Sequence, residues 1–161
     1  METQWLSEDE LAAWKRFVAV LELLPGVLDS QLRKDAGLTH FDYYVLAMLS
    51  EAPNHTLRMT ALATQTSATL PRLSHVIRRL ESKELVTRFP CPEDARATNA
   101  QLTDKGWQYV VTIAPGHVQN VRAHVIDALS SEQITQLGQI SDALLRRLDP
   151  ERSMAPMYSG D

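Results

Sequence analysis

A mainly helical fold of the α+β class, with one β-hairpin, is what this sequence predicts, on three observations. Apolar residues recur at i, i+3 and i+4 through most of the 161 residues, which is the period of amphipathic helices. That period gives way to strand-like stretches only between about residues 85 and 102. Two helix starts also carry full capping signatures, Ser7 with Glu10 and Ser130 with Gln133. Each is flanked by a hydrophobic staple, Leu6/Leu11 and Leu129/Ile134.

The first helix keeps its apolar stripe through Leu11, Trp14, Phe17, Val18, Leu21, Leu24 and Leu28, to about Leu32. Pro25-Gly26 predicts a kink or a short break within it, and Asp35-Ala36-Gly37 ends it. Thr39 is placed to cap a second, mostly buried helix through Tyr43, Tyr44, Leu46, Ala47, Leu49 and Ser50. Residues 51–56, with Pro53 and Asn54, read as a loop.

Residues 57–102 read as two short helices, a tight turn and a hairpin. Met59, Leu62 and Ala63 share one buried face; Thr66, Ser67 and Ala68 form the turn; Thr69 caps the next helix. Pro71 falls in the first turn, where its missing N–H costs nothing. Leu73, Val76, Ile77 and Leu80 then face inward, so His75 and Arg78 point away, with Arg72, Ser74 and Arg79 on the flanks. Strands follow at 85–89 and 98–102, with a turn-rich run, 90–96, between them. Together these make a winged helix-turn-helix.

An isolated helix with such a face would be read as merely solvated. A cationic helix followed by a hairpin with Arg96 at its tip suits a DNA duplex better. Arginine forks onto guanine edges in the major groove, and a hairpin cation fits the potential of a narrow minor groove. On this geometry Arg72, Ser74 and His75 read base edges, Thr69 and Arg78 hold flanking positions, and Arg96 enters the minor groove. Asp94 accepts hydrogen bonds that hold the wing, with Arg79 or Arg96 as partner.

After the wing, Thr103 or Asp104 opens a long helix through Trp107, Val110, Val111 and Ile113, bent at Pro115-Gly116. It resumes through Val118, Val121, Val125 and Leu129. The last helix carries Ile134, Leu137, Ile140, Leu144, Leu145 and Leu148. The polar tail, 150–161, is expected to be loose.

In order along the chain, Leu62-Ala63, Arg79-Leu80-Glu81, Leu85-Val86, Asp94-Ala95-Arg96 and Leu102-Thr103-Asp104-Lys105-Gly106 resemble the MarR family of bacterial transcription regulators. The chain departs from that pattern at Glu84, where members usually carry glycine at the C-cap of the recognition helix, and at Ala95, where many also carry glycine. The resemblance implies a homodimer on double-stranded DNA, reading a pseudo-palindromic operator whose half-sites lie roughly 34 Å apart. Residues 1–37 and 106–149 then form the dimerisation region, with apolar stripes too wide for the motif's own core, and 38–56 link it to the lobe. The resemblance also implies a repressor released by a small phenolic or anionic effector. The effector's cavity would be lined by Trp14, Phe41, Tyr44, Met48, Trp107 and His117, which at helical spacing read equally well as plain core.

Composition narrows the other classes. The net charge of −4 is unevenly spread. Residues 58–105 hold eight Lys/Arg against five Asp/Glu, while 1–57 hold four against nine and 106–161 four against six. Phosphate binding follows this local field rather than the total. The single cysteine, Cys91, excludes an intrachain disulfide and fits a reducing cytoplasm. The acidic N-terminus is unlike a secretion signal, and no apolar run is long enough to span a membrane. Cys91 reads as incidental, because the family's peroxide sensors place their thiol near the N-terminus. His117 and His124 lie on one helix face, but no further ligands accompany them, so no metal or cofactor is expected; a metal-responsive regulator is the alternative they leave. No nucleotide-binding, zinc-protease or serine-hydrolase motif occurs, and Glu93 and Asp94 sit on an exposed hairpin, so no catalytic residue is assigned. The remaining alternative is a winged helix that binds protein instead of DNA.

Overall fold

The computed structural model describes residues 2–159. Helix α1 (Glu8–Ala36) begins with the expected capping box. The Ser7 hydroxyl accepts from the Glu10 N–H at 3.2 Å, and the Glu10 carboxylate accepts from the Ser7 N–H at 2.7 Å. Of the kink or short break expected at Pro25-Gly26, the break does not occur, for α1 runs as one helix past Pro25. Proline removes one N–H and crowds a carbonyl one turn back, and a 29-residue helix capped at both ends absorbs that loss. Gly37, at φ +61°, closes α1 by donating to the Arg33 carbonyl, a left-handed position that favours glycine.

Helix α2 (His40–Glu51) has its own capping box between Thr39 and Asp42, with both bonds at 2.9 Å. It buries Val45, Leu46, Met48 and Leu49, so it belongs to the lobe's core as well as linking it. A 3-10 turn, Pro53–His55, leads into strand β1 (Thr56–Arg58), which the sequence reading treated as loop and helix start. Three residues are too few for alternation to show, and the strand exists through its partner, with Leu57 opposite Ala100.

The motif follows as helices α3 (Met59–Gln65) and α4 (Leu70–Ser82) and strands β2 (Val86–Cys91) and β3 (Asp94–Leu102), with sheet order β1-β3-β2. Its core is one cluster in which Leu38, Leu46, Leu49, Leu62, Leu73, Ile77, Leu80, Leu85 and Ala100 are almost wholly buried. Each large side chain there contributes about 1.5–3 kcal/mol by leaving water.

Helix α5 (Asp104–His124) starts at Thr103, whose hydroxyl accepts from the Gly106 N–H at 2.9 Å. It passes Pro115 unbroken and ends at His124; a 3-10 turn, Ile126–Ala128, replaces the helical continuation expected to Leu129. Helix α6 (Ser131–Leu148) has the second capping box, between Ser130 and Gln133, and buries none of its residues. The described part of the tail, 150–159, is ordered by turns and a short helix rather than loose. The Asp149 carboxylate accepts from the Ser153 N–H (2.7 Å), the Met154 N–H (2.9 Å) and the Tyr158 hydroxyl (3.0 Å). This anchor sets helix α7 (Ala155–Tyr158) against α3; one carboxylate with three donors does what apolar patterning does elsewhere. Among the described residues, no helix is long and apolar enough to cross a membrane.

Candidate nucleic-acid interface

Helix α4 is fixed from beneath. Leu73, Val76, Ile77 and Leu80 are buried, which turns Arg72, His75 and Arg78 to solvent and leaves Ser74 and Arg79 half-buried. The turn before it closes by the Ala68 N–H donating to the Ala63 carbonyl at 2.9 Å. Thr69 caps the helix, its hydroxyl oxygen accepting from the Arg72 N–H at 3.4 Å. The hydroxyl proton is not used by that bond and remains available to an acceptor.

The three arginines of α4 differ in what holds them. The Arg72 guanidinium lies over the Phe41 ring, 4.0 Å from its centroid. Arg78 Nε reaches the Ser74 carbonyl at 3.4 Å and stays exposed. Arg79 is turned back into the protein, paired with the buried Asp42 carboxylate. The expected partnership of Arg79 with Asp94 is therefore corrected. Arg79 sits on the flank of α4 that faces the N-terminus of α2, where Asp42 offers a charge already out of water.

The wing also differs from its expected shape. The turn is at Pro92 and Glu93, and Arg96 lies on β3, beyond the tip. The ladder runs from Val86 opposite Leu102 to Pro90 opposite Thr98, then jumps to Cys91 opposite Asp94. Residues 95–97 thus bulge out unpaired, with Arg96 in the middle, and a bulge re-aims a side chain away from the ladder. The Asp94 carboxylate accepts from the Arg96 backbone N–H at 3.1 Å, so it shapes the bulge through the main chain and not through a guanidinium. The base of the wing is held instead by Arg88, which donates to both oxygens of Glu81 at 3.0 and 2.9 Å. No periodicity marks that pair in sequence; it forms only once the strand folds back on the helix. A groove of about 260 Å³ separates α4 from the wing, with Leu70, Ser74, Arg88, Arg96 and Thr98 along it. Cys91 is buried beside Glu93.

The MarR family model matches residues 38–98. Among solved structures, the chain is similar to Sco3205, a MarR family transcriptional regulator from Streptomyces coelicolor solved in complex with DNA. The two are 42% identical over 92% of this chain and 93% of that one, with a TM-score of 0.89. The chain belongs to the MarR family. A second MarR-family regulator from the same organism, AbsC, is 39% identical over 91% of this chain and 98% of its own, with a TM-score of 0.85. The transcriptional repressor MprA of Escherichia coli is 26% identical over 120 residues, 74% of this chain and 68% of that protein. The chain is thus a winged helix-turn-helix protein of a family of transcriptional regulators.

Two points where it meets or leaves the MarR pattern have a local cause. Glu84 adopts φ +61°, the conformation for which glycine is the usual choice. Its carboxylate pairs with Lys105 Nζ at 2.7 Å, and that partner holds its pKa below the ordinary value. Gly106 follows the pattern, and a Cβ there would lie 2.1 Å from the Leu85 carbonyl oxygen. The glycine lets α5 start directly against the end of the motif.

The residues expected around an effector do not all meet. Tyr44, Met48 and His117 line one cavity of about 340 Å³, together with His40, Tyr43, Met154 and Met157. Phe41 lies under Arg72, Trp107 stacks on His55 with centroids 4.9 Å apart, and Trp14 is 52% exposed on α1 beside Phe17. His117 stacks near Tyr43 at 4.5 Å and His40 at 6.0 Å. Burial lowers the pKa of both histidines; the charge of Asp29 opposes this for His40, and the charge of His40 adds to it for His117. His124 faces elsewhere, lining an apolar groove of about 550 Å³ with Val20, Leu23, Leu24, Val27 and Leu137. His117 and His124 therefore have separate surroundings.

Proposed function

We propose that the chain works in the cytoplasm as a homodimeric repressor that reads a pseudo-palindromic operator in double-stranded DNA and leaves it when a small effector binds. The observation that carries this is the outward face of α4, with Arg72, His75 and Arg78 in solvent beside a bulge presenting Arg96. In this reading Arg72, Ser74 and His75 meet major-groove edges, while Thr69 and Arg78 donate to flanking phosphates or bases. Arg96 enters the minor groove, where position and charge matter more than base identity. Arg79 and Asp94 serve indirectly, by fixing α4 and the bulge. The similar Sco3205 was solved on DNA, and the E. coli relative is a repressor.

The second copy is needed for two reasons. One recognition helix sees too few base pairs for a useful specificity ratio. The stripes of α1 and α6, within 1–37 and 106–149, also lie open in a single chain: Leu21 is 51% exposed and Ile140 57%. The cavity around Tyr44, Met48 and His117 mixes polar groups (His40, Glu51, His117) with apolar ones (Ala47, Met48, Met154, Met157), which suits a small compound with both kinds of surface, such as a phenolic one. Such a compound acts by preferring a dimer whose recognition helices are wrongly spaced. A regulator of this kind needs no catalytic group or cofactor, and none is assigned.

The test is selection of duplexes from a random library by the wild-type protein, followed by titration across salt. Affinity should fall steeply as salt rises. Arg72→Ala should cost about 1–3 kcal/mol and relax preference at one base pair, whereas Arg96→Ala should weaken all duplexes more evenly. A protein that selects no duplex at any salt concentration is not a DNA reader, and a protein-docking role would take its place.

A further inference from the structure

Phe41 belongs to no expected DNA contact, yet it is the residue on which the Arg72 side chain rests. Among the described residues, the Arg72 guanidinium has no carboxylate or carbonyl partner, whereas Arg79 and Arg88 are each tied to an acid. It is held by the ring face alone, 4.0 Å from the centroid. Stacking uses the flat face of a guanidinium and leaves the N–H donors around its edge free. Those edge donors are the ones that fork onto a guanine.

The ring is itself braced. Phe41 packs on the core and meets Tyr44 edge-on, with centroids 6.3 Å apart. The Tyr44 hydroxyl donates to the Gln65 carbonyl at 3.0 Å, at the end of α3 and the start of the helix-turn-helix turn. The platform under Arg72 is therefore fastened to the same turn that aims α4.

We propose that Phe41 is a positioning residue for base recognition: its ring holds the Arg72 guanidinium extended and open-edged before DNA arrives. The inference rests on the DNA-reading function proposed above. Without the ring, the long side chain recovers its rotamer freedom and must lose it again on each binding event. That cost falls on the one base pair Arg72 reads and spares the phosphate contacts made by other residues.

The experiment uses the full-length protein, duplexes selected from a random library by wild type, and single base-pair substitutions of them. Phe41→Leu should lower discrimination at the position relaxed by Arg72→Ala by about threefold to tenfold, and Phe41→Tyr should preserve it. The slope of affinity against salt should stay as in wild type. In the double variant Phe41→Leu/Arg72→Ala, discrimination should match Arg72→Ala alone. Melting temperatures of all variants are measured beside these, and Phe41→Tyr serves as the folded reference if Phe41→Leu melts early. Unchanged discrimination in Phe41→Leu, a uniform loss across all sequences, or a loss that adds fully to that of Arg72→Ala would overturn the inference. Wild type selecting no duplex would overturn the DNA reading itself, and this inference with it.

Discussion

Helices α4 and α6 are written in the same code, and only one of them is complete. Both carry apolar residues at helical spacing against a charged face. In α4 that stripe is sealed, with Leu73 and Ile77 at 0% exposure. In α6 the corresponding stripe is open, with Leu137 at 42% and Ile140 at 57%. Amphipathicity states that a face must be covered; it does not state whether the cover comes from the same chain. The lobe finds its cover inside the chain, through α2, α3 and the sheet. The outer helices leave an apolar groove open in the single chain.

That difference can be tested by damaging each stripe in turn. Ile77→Ala should cost about 2–5 kcal/mol through lost burial and a residual cavity, read as a lowered denaturation midpoint at every protein concentration. Ile140→Asp should instead leave the lobe folded and convert dimer to monomer in sedimentation equilibrium. Operator affinity should then fall by about 10²-fold as two linked half-sites become two separate ones. If Ile140→Asp remained dimeric, the open stripe would not be the interface.

The contact between α2 and α5, where His40 meets His117, should respond to pH. His40 and His117 both have pKa values lowered chiefly by burial from the ordinary 6.5. The unfolded chain therefore binds more protons than the folded one as pH drops below 6.5, and stability is lost through that window. Above 6.5 both forms are neutral and the effect vanishes. Melting should fall between pH 7 and pH 5.5, and His117→Gln should flatten the dependence; an equal slope in wild type and variant would assign it to other groups. The smallest effect is expected at Glu84. Glu84→Gly removes a left-handed strain at the cost of an exposed ion pair with Lys105, and melting should rise by about 2 °C.

Much of the fold is legible in the sequence because its signals are local. The caps at Ser7, Thr39, Thr69 and Ser130, the buried face of α4 and the turn at 66–68 are all written within a few residues. What was not legible depends on residues far apart in sequence. Strand β1 exists because β3 lies beside it, and Arg79 finds Asp42 only when α4 crosses α2. A turn-rich run does not reveal where a ladder slips, so the sequence predicts Arg96 at the tip while the bulge sets it on β3 beyond the tip. The order of residues 150–159 is hidden from the sequence because three donors converging on Asp149 have no periodicity. Of the residues expected at the effector cavity, Tyr44 and Met48 of α2 meet His117 of α5, while Phe41 turns under Arg72. Trp107 lies ten residues before His117 on α5, against His55, and Trp14 stays on the open face of α1.

The pairing of Arg79 with Asp42 has a mechanical meaning. Asp42 also accepts from the Thr39 N–H, so one buried carboxylate rivets the recognition helix to the first turn of α2. Whatever sets the position of α2 therefore also sets the position of α4. The link back to α1 is firm as well: Leu38 is buried in the same core, and the His40 N–H donates to the Asp29 carboxylate of α1 at 3.0 Å. The aim of the recognition helix is thus inherited, through one carboxylate and one buried leucine, from the long first helix.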